Sequence, residues 1–169
     1  NKGDSTADTP FLYHPFNLDN NVNTIDGDTD NDGEGEEIHT LSISAATAIQ
    51  KSYIDKVIDT VNDLDNVLYE IANESPSAST AWQAELISYI HTYEAGKAKQ
   101  HPVGMTYQYA GGSNDTLFAS DADWVSPDST GGYGTAPPAN NGTKVILLDT
   151  DHLGNNQTGD WVWRAFTRG

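Results

Sequence analysis

Apolar residues recur at three- and four-residue spacing in two long stretches of the chain. The first stretch runs from 44 to 64, and its apolar positions are Ala45, Ala48, Ile49, Tyr53, Ile54, Val57, Ile58 and Val61. The second runs from 77 to 96 and places four large apolar side chains on one face, Trp82, Leu86, Ile87 and Ile90. This spacing is typical of amphipathic helices, so we predict a helix over each stretch.

Shorter apolar and β-branched runs, each bounded by turn-forming residues, predict strands over 67–72, 102–109, 122–126 and 144–148. A further run at 11–16 predicts a strand end or an ordered loop, and 160–169 has the pattern of a helix that is beginning. Strands that are nearly continuous in apolar character and alternate with helices or long connections are typical of the α/β class. The sequence therefore predicts a parallel sheet covered on both faces.

The segment 20–37 consists almost wholly of Asn, Asp, Gly and Glu, which predicts an acidic surface loop because it has little apolar area to bury. Its acids at alternate positions, followed by a glycine and one more acid, resemble the first half of a calcium-binding loop. The candidate ligands are Asp28, Asp30, Asp32 and Glu34. The twelfth loop position is His39 instead of a bidentate Glu, so a structural calcium site and a solvated acidic loop both stay open. No other cofactor is expected.

Charge and composition exclude several classes of function. Twenty-five acidic residues against eight basic ones give a formal net charge of -17, and the basic residues are scattered singly. We therefore expect neither a nucleic-acid partner nor an anionic membrane. The absence of cysteine excludes disulfides, thiolate metal sites and a cysteine nucleophile. No window approaches the roughly 18 consecutive apolar residues of a membrane span.

Acidic residues follow two of the predicted strands, Glu74 after the first and Asp149 and Asp151 after the last. The carboxyl ends of parallel strands in an α/β sheet lie on one rim, so these acids are expected to be close together. Glycoside hydrolysis requires such a pair, one carboxyl to protonate the leaving oxygen and one carboxylate to act at the sugar carbon. The Asp-x-Asp-His sequence at 149–152 leaves a metal-dependent hydrolase as an alternative.

A strand followed by Asn73 and Glu74 resembles the Asn-Glu motif that ends the fourth strand in clan A glycoside hydrolases, the TIM-barrel superfamily of cellulases and β-glycosidases. The resemblance implies that Glu74 is the acid/base of a retaining glycosidase and that Asn73 holds a sugar hydroxyl. It places Asp149 at the position of the nucleophile, with Asp151 as the alternative. The clan has Glu there, so a carbohydrate-binding barrel without catalysis stays open.

The same resemblance implies a fold. It covers roughly 11–169 and corresponds to strands three to seven of an eight-stranded barrel, whose complete form needs roughly 250 residues. We therefore expect residues 1–169 to form a single partial catalytic domain, an incomplete (β/α)8 TIM barrel. Another chain or copy would complete it. The carbohydrate substrate of such an enzyme implies an extracellular or periplasmic location.

Further residues are expected to contact the sugar. The segment at 13–16 before Asn21, and the segment at 149–152 before the tryptophans at 161 and 163, look similar to a little-studied branch of the clan. Aromatic rings pack against the apolar faces of sugars, while histidine and amide side chains bond to hydroxyls. The candidate substrate-binding residues are Asn73, His14, Asn21, Tyr107, Trp124, His152 and Trp161. The alternative for each histidine and tryptophan is a structural role.

Overall fold

The computed structural model of the protein describes residues 10–109, 111–136, 138, 142–153 and 159–168. The strands in this part are β1 (Tyr69–Glu70), β2 (Val103–Thr106), β3 (Trp124–Ser126) and β4 (Val145–Ile146). The α-helices are α1 (Ser44–Val61), α2 (Thr80–Glu94), α3 (Asn114–Ala119), α4 (Thr150–Leu153) and α5 (Gly159–Arg168). The helices predicted over 44–64, 77–96 and 160–169 are therefore confirmed, with α2 preceded by a 3-10 turn at Ser77–Ser79.

The four strands form one sheet in the order β1-β2-β3-β4, and all three pairs are parallel. This arrangement confirms the α/β class. The prediction of an incomplete (β/α)8 TIM barrel is wrong, because the described residues form a four-stranded sheet with edges at β1 and β4. Closure of a barrel requires a tilted and staggered ring of about eight strands.

The run at 11–16, predicted as a strand end or an ordered loop, is an ordered loop and adds no strand to the sheet. The run at 11–16 begins in a 3-10 helix, Pro10–Tyr13. The amide of His14 then donates to the Phe11 carbonyl at 3.0 Å, which closes a turn. Proline at both ends of the run removes backbone donors that a strand within a sheet would need, so the apolar residues are used in a compact turn instead.

Three helices, α1, α2 and α3, cover one face of the sheet, whereas His152 of α4 contacts Ser126 on the other. Successive side chains of a strand point to opposite faces, so Val103 and Met105 of β2 share a face with Val125 of β3. These residues are buried against the apolar faces of α1, α2 and α3, and the core also contains Ile58, Ile87, Ile90, Leu117 and Ala122. Burial of this periodic apolar face explains why the helical spacing was visible in the sequence.

The opposite face of the sheet carries smaller and more polar residues. Gly104 lies beside Trp124 in the register of β2 and β3, and a Cβ added at 104 would lie 1.9 Å from Trp124 Cε2. The indole ring therefore lies directly over the glycine backbone. Further along the same face, Thr106 pairs with Ser126, and both are buried. The polar residues of this face thus lie near the carboxyl ends of the strands.

A buried ion pair closes the amino edge of the sheet. Glu94, at the end of α2, is 1% exposed, and His101, just before β2, is 6% exposed. His101 Nδ1 lies 2.8 Å from Glu94 Oε1, and its backbone amide donates to Glu94 Oε2 at 2.7 Å. The same carboxylate accepts bonds from Tyr69 Oη at 3.0 Å and from Asn62 Nδ2 at 3.1 Å. His101 Nε2 lies 2.8 Å from the Leu64 carbonyl. These bonds join α1, α2, β1 and β2.

Among the described residues no further strand pairs with the outer side of β1 or of β4, so these two are the outermost strands of the sheet. β4 is the most hydrophobic run in the sequence, yet Val145 is 57% exposed. No helix in the part of the chain that the structure describes has both the length and the apolar character needed to cross a membrane.

Candidate functional site

Three polar side chains from distant parts of the chain meet at the carboxyl edge of the sheet. His152 of α4 lies between the other two, with Nε2 3.1 Å from Asn73 Oδ1 and Nδ1 3.2 Å from Ser126 Oγ. Asn73 follows β1, Ser126 ends β3, and His152 follows β4. These contacts bring two of the candidate substrate-binding residues, Asn73 and His152, together at one edge.

The chemistry of these partners fixes the proton on the histidine. The Asn73 amide oxygen can only accept, so His152 Nε2 must donate to it. In the neutral ring Nδ1 then accepts the hydroxyl proton of Ser126. Both ring nitrogens are therefore engaged within the protein, and this arrangement leaves neither free to bind a metal ion.

Glu74 lies next to Asn73 in a backbone conformation that side-chain-bearing residues rarely adopt. Its φ is 52°, in the left-handed region, where a residue other than glycine carries a strain of about 1–3 kcal/mol. The side chain is half-buried. Strain of this kind is concentrated at sites where the position of a side chain matters, so the conformation of Glu74 singles it out from the other acids.

Glu70 lies within β1 and is held by its neighbours on the polar face. Thr106 Oγ1 donates to Glu70 Oε1 at 3.2 Å and lies 3.1 Å from the Ala72 carbonyl. These contacts connect β2 to the turn that leads to Asn73. Glu70 and Thr106 therefore support the segment from which Asn73 and Glu74 project.

The acids after β4 lie at a change of backbone conformation. Asp149 is exposed, and its carbonyl accepts a hydrogen bond from Leu153 at 3.2 Å. α4 begins at Thr150, so the backbone turns into a helix directly after Asp149. The side chain of Asp151 lies outside the described part of the chain. The nucleophile role of Asp149, with Asp151 as the alternative, stays a prediction.

His14 and Asn21 are engaged locally. His14 Nδ1 accepts from the Phe16 amide at 3.1 Å, and its ring lies 5.6 Å from the ring of Phe11. Burial lowers the pKa of His14 below its ordinary value. Asn21 Nδ2 donates to the carbonyls of Asn17 and Ile25, each at 2.9 Å, and Asn21 Oδ1 accepts from the Ile25 amide at 3.0 Å. These contacts fold the loop around both residues, which indicates structural roles.

Two of the three aromatic candidates are buried. Trp124 is 6% exposed and Trp161 is 5% exposed, so little of either ring is available for a sugar. Trp161 Nε1 donates to the Tyr133 carbonyl at 3.3 Å, which gives it a supporting role. Tyr107, directly after β2, is half-buried. Its hydroxyl donates to the Gly112 carbonyl at 3.1 Å.

The acidic loop at 20–37 brings together a set of acids that differs from the predicted one. Carboxylate oxygens of Asp28, Asp30 and Glu37 lie within 4.8 Å of one another. Asp32 instead accepts from the Glu34 amide at 2.8 Å, and Glu34 does not belong to the converging group. Counted from Asp28 as position one, Glu37 is loop position ten. The calcium-loop pattern predicts a ligand at position twelve, so it does not identify Glu37.

Electrostatics in this loop reflect the crowding of charge. The Asp32 amide lowers the pKa of Asp30, but desolvation by the surrounding loop and the nearby charges of Asp32, Glu37 and Asp28 outweigh it and raise that pKa overall. Burial would raise the pKa of Glu37, yet hydrogen bonds from the backbone of Asp30 and from Thr29 lower it. A bound cation would relieve the repulsion, and calcium here stays a prediction.

Ser126 is the second residue that sequence reasoning missed. The signal available was its position at the end of a strand, directly before Pro127. A serine in that position is common in proteins without any chemistry, so only the contact with His152 distinguishes it.

Comparison with known proteins adds no relative to this picture. No protein-family model matches the chain, and neither a curated protein nor a solved structure matches it significantly. The function must therefore be argued from the carboxyl edge itself.

Proposed function

We propose that the carboxyl edge of the sheet is the site of a glycoside hydrolase in which Glu74 gives a proton to the leaving oxygen. The observation that supports this proposal is the hydrogen bond between Asn73 and His152, 3.1 Å long. It joins the segment that follows β1 to the segment that follows β4. Glu74 is the next residue after Asn73, and Asp149 precedes His152 by three positions, so the two candidate carboxyl groups belong to the segments that this bond joins.

The proposed reaction has two steps. Glu74 protonates the glycosidic oxygen while the Asp149 carboxylate attacks the sugar carbon, which breaks the glycosidic bond and forms a sugar ester. Glu74, now ionised, takes a proton from water as the water attacks the same carbon and releases Asp149. This is the retaining course, and Asp151 is the alternative nucleophile.

The left-handed backbone of Glu74 supports its role, because a strained conformation holds the side chain in a direction that an ordinary turn would not give. Asn73 and His152 support the site in a different way. Because Asn73 Oδ1 is bonded to His152, its amide nitrogen is directed toward the outside of the pair and is suited to donate to a sugar hydroxyl.

An acyl-transfer enzyme is a poorer match to the Ser126, His152 and Asn73 contacts. The order serine, histidine, amide is that of a nucleophile, a base and an orienting group. Ser126, however, is only 2% exposed, so a substrate carbonyl has no access to its oxygen. The serine is better explained as the residue that fixes the orientation of His152.

The Glu74→Gln variant tests the proposal, with Glu85→Gln as the control because Glu85 lies exposed on α2. General acid catalysis contributes about 10²–10⁴-fold, and we expect Glu74→Gln to lose that factor in hydrolysis of an oligosaccharide substrate, whose leaving group needs a proton. Glu85→Gln should keep the wild-type rate. The dinitrophenolate group leaves without being protonated. The first step of hydrolysis should therefore be much less impaired in Glu74→Gln when the substrate is a dinitrophenyl glycoside.

Screening begins with aryl glycosides of common neutral sugars and with soluble polysaccharides, and proton NMR of the first product gives the stereochemical course. If the wild-type chain cleaves none of them, or if Glu74→Gln cleaves them at the wild-type rate, the proposal is wrong. Binding of polysaccharide without cleavage by the wild-type chain would instead support a carbohydrate-binding module.

A further inference from the structure

A pocket beside the proposed catalytic edge is lined by Tyr107, Ser113, Asn114, Asp115, Thr130 and Tyr133 among others, and it is called the tyrosine pocket below. We propose that it binds one neutral pyranose ring of the substrate. This inference rests on the proposed function, and it adds a substrate class and a second point of attachment. The lining residues belong to the β2–α3 connection, to the first turn of α3 and to the segment after β3.

The pocket lies where a parallel α/β sheet binds ligands, outside the carboxyl ends of its strands. Tyr107 follows β2, and its amide donates to the Ser126 carbonyl at 2.9 Å. The side chain of Ser126 in turn contacts His152. The pocket is thus connected to the proposed site through Ser126, while Glu74 projects from the segment after β1. A chain of sugar rings bound along this edge would contact both.

The walls of the pocket are held by hydrogen bonds that do not depend on a ligand. Asn114 Nδ2 donates to Asp128 Oδ1 at 2.9 Å and to the Thr130 carbonyl at 3.1 Å. The Asp128 amide donates back to Asn114 Oδ1 at 3.0 Å. These bonds join the segment after β2 to the segment after β3. A wall that is already ordered loses little conformational entropy when a ligand binds.

Both tyrosine rings are also fixed in place. The Tyr107 hydroxyl donates to the Gly112 carbonyl. The ring of Tyr133 meets that of Phe118 edge to face, with centroids 6.2 Å apart, and the Tyr133 carbonyl accepts from Trp161 Nε1. Phe118 therefore supports the Tyr133 ring, and Trp161 holds the backbone of the same residue.

Size and chemistry favour a sugar over other small molecules. The cavity has a volume of about 300 Å³, at the lower limit of ligand pockets, which measure roughly 300–1,000 Å³. Tyrosine rings suit the apolar face of a pyranose, and the Ser113 and Thr130 hydroxyls suit its hydroxyl groups. Asp115 is in the lining, and the lining contains no lysine or arginine, so an anionic ligand would be repelled. The combination matches a neutral, hydroxylated ring.

The test uses the full chain carrying Glu74→Gln, so that a bound sugar is not cleaved. Cellohexaose, xylohexaose and mannohexaose are titrated separately by calorimetry. We expect at least one of them to bind, Tyr133→Ala to weaken that binding by about fivefold or more, and Tyr133→Phe to stay within about twofold, because the stacking ring remains. Tyr53→Ala is the matched control, since Tyr53 is 70% exposed and is not in the lining. Thermal melting confirms that each variant is folded.

The results separate this inference from the proposed function. If none of the three sugars binds, or if Tyr133→Ala binds as tightly as the control, the tyrosine pocket is not a sugar site. Hydrolysis by wild type, lost in Glu74→Gln but with KM unchanged in Tyr133→Ala, would overturn the pocket alone. Binding that depends on Tyr133 without hydrolysis by wild type would overturn the proposed function alone.

Discussion

The buried pair of Glu94 and His101 allows a quantitative test of what holds the helices to the sheet. The perturbation is Glu94→Gln, which keeps the shape of the side chain and removes its charge. Both ring nitrogens of His101 face oxygen atoms, one on Glu94 and one on the Leu64 carbonyl. Each nitrogen must therefore carry a proton, and the ring is a buried cation.

The variant leaves that cation without a counter-charge. Removal of one partner from a buried ion pair costs about 3–5 kcal/mol. An independent count gives a similar result, because His101 makes two charge-assisted bonds to Glu94, and such bonds contribute about 1.5–3 kcal/mol each. We therefore expect Glu94→Gln to lower the free energy of unfolding by about 4 kcal/mol.

Urea denaturation at pH 6, followed by tryptophan fluorescence, measures this loss. With a slope of roughly 2 kcal/mol per molar urea, the unfolding midpoint should fall by about 2 M. Glu85→Gln is the control on the same helix, because Glu85 pairs with Lys51 at the surface. Surface pairs contribute about 0–1 kcal/mol, so its midpoint should fall by about 0.5 M or less.

The pH dependence gives a second readout. Hydrogen bonds to Glu94 and Leu64 raise the pKa of His101, so the stability it contributes is complete below its ordinary pKa of 6.5 and is lost as pH rises through the raised value. Burial would raise the pKa of Glu94, but bonds from His101, Tyr69 and Asn62 lower it. Its contribution is complete above its ordinary pKa of 4.5 and is lost on acidification. Wild-type stability should therefore be highest between about pH 4.5 and 6.5.

In Glu94→Gln the free energy of unfolding should change less with pH on both the acid and the alkaline side, because the two charges that shift the pKa values are no longer paired. A variant with the wild-type midpoint at pH 6, or with the wild-type loss of stability above pH 7, would refute the assignment of His101 as a buried cation.

Three further outcomes are expected. Gly104→Ala should lower the free energy of unfolding in urea denaturation by about 3 kcal/mol or more, because its Cβ would overlap Trp124. Gly96→Ala is the control and should change that free energy by less than about 1 kcal/mol, because no atom lies within 4 Å of its Cβ. Calcium at a hundred times its dissociation constant should stabilise the chain by about 2.7 kcal/mol in thermal melts, and Glu37→Gln should reduce this gain; no gain with calcium would favour a solvated loop. Asn21→Ala should cost about 1–3 kcal/mol, since the part-buried carbonyls of Asn17 and Ile25 would lose their donor, and it should leave sugar binding unchanged in calorimetry.

Much of the fold could be predicted from local sequence patterns. The helices at Ser44–Val61 and Thr80–Glu94 were visible because each buries one apolar face, and that face recurs with the period of the helix. The strands were visible as apolar runs, but their lengths were overestimated. A run such as 144–148 is equally hydrophobic whether its strand is central or at an edge, so the pattern did not reveal that β4 ends the sheet.

The barrel could not be decided by any local pattern. Whether a parallel sheet closes depends on pairing between strands far apart in sequence, and the prediction relied on a resemblance and on a count of strands. The burial of Trp124 was hidden for a related reason. It depends on Gly104 lying opposite in the register, and without that pairing an aromatic residue near a strand end looks like a platform for a sugar.

Part of the candidate site could be predicted from the sequence. Asn73 was predicted from its resemblance to a family motif and His152 from its position after a predicted strand, and the rule that strand ends in a parallel sheet share one edge explains why they meet. Ser126 obeys the same rule but lacks any distinguishing neighbour in sequence. Glu37 was missed because the EF-hand spacing directed attention to His39, whose ring packs 5.1 Å from that of Trp82. Burial there lowers the pKa of His39 to about 4, which suits a neutral structural residue.

The amino edge of the sheet, where its strands begin, and the carboxyl edge, where they end, differ in a way that affects how the proposed experiments are interpreted. The amino edge carries the buried pair of Glu94 and His101, whose bonds join two helices to two strands. The carboxyl edge carries Glu74 in a strained backbone conformation, and strain of that kind reduces stability instead of adding to it. Because Glu74→Gln leaves the amino-edge network intact and keeps the backbone and the side-chain shape, we expect the variant to stay folded, which thermal melting checks. A loss of hydrolysis in that variant can then be attributed to the missing proton donor and not to a weakened fold.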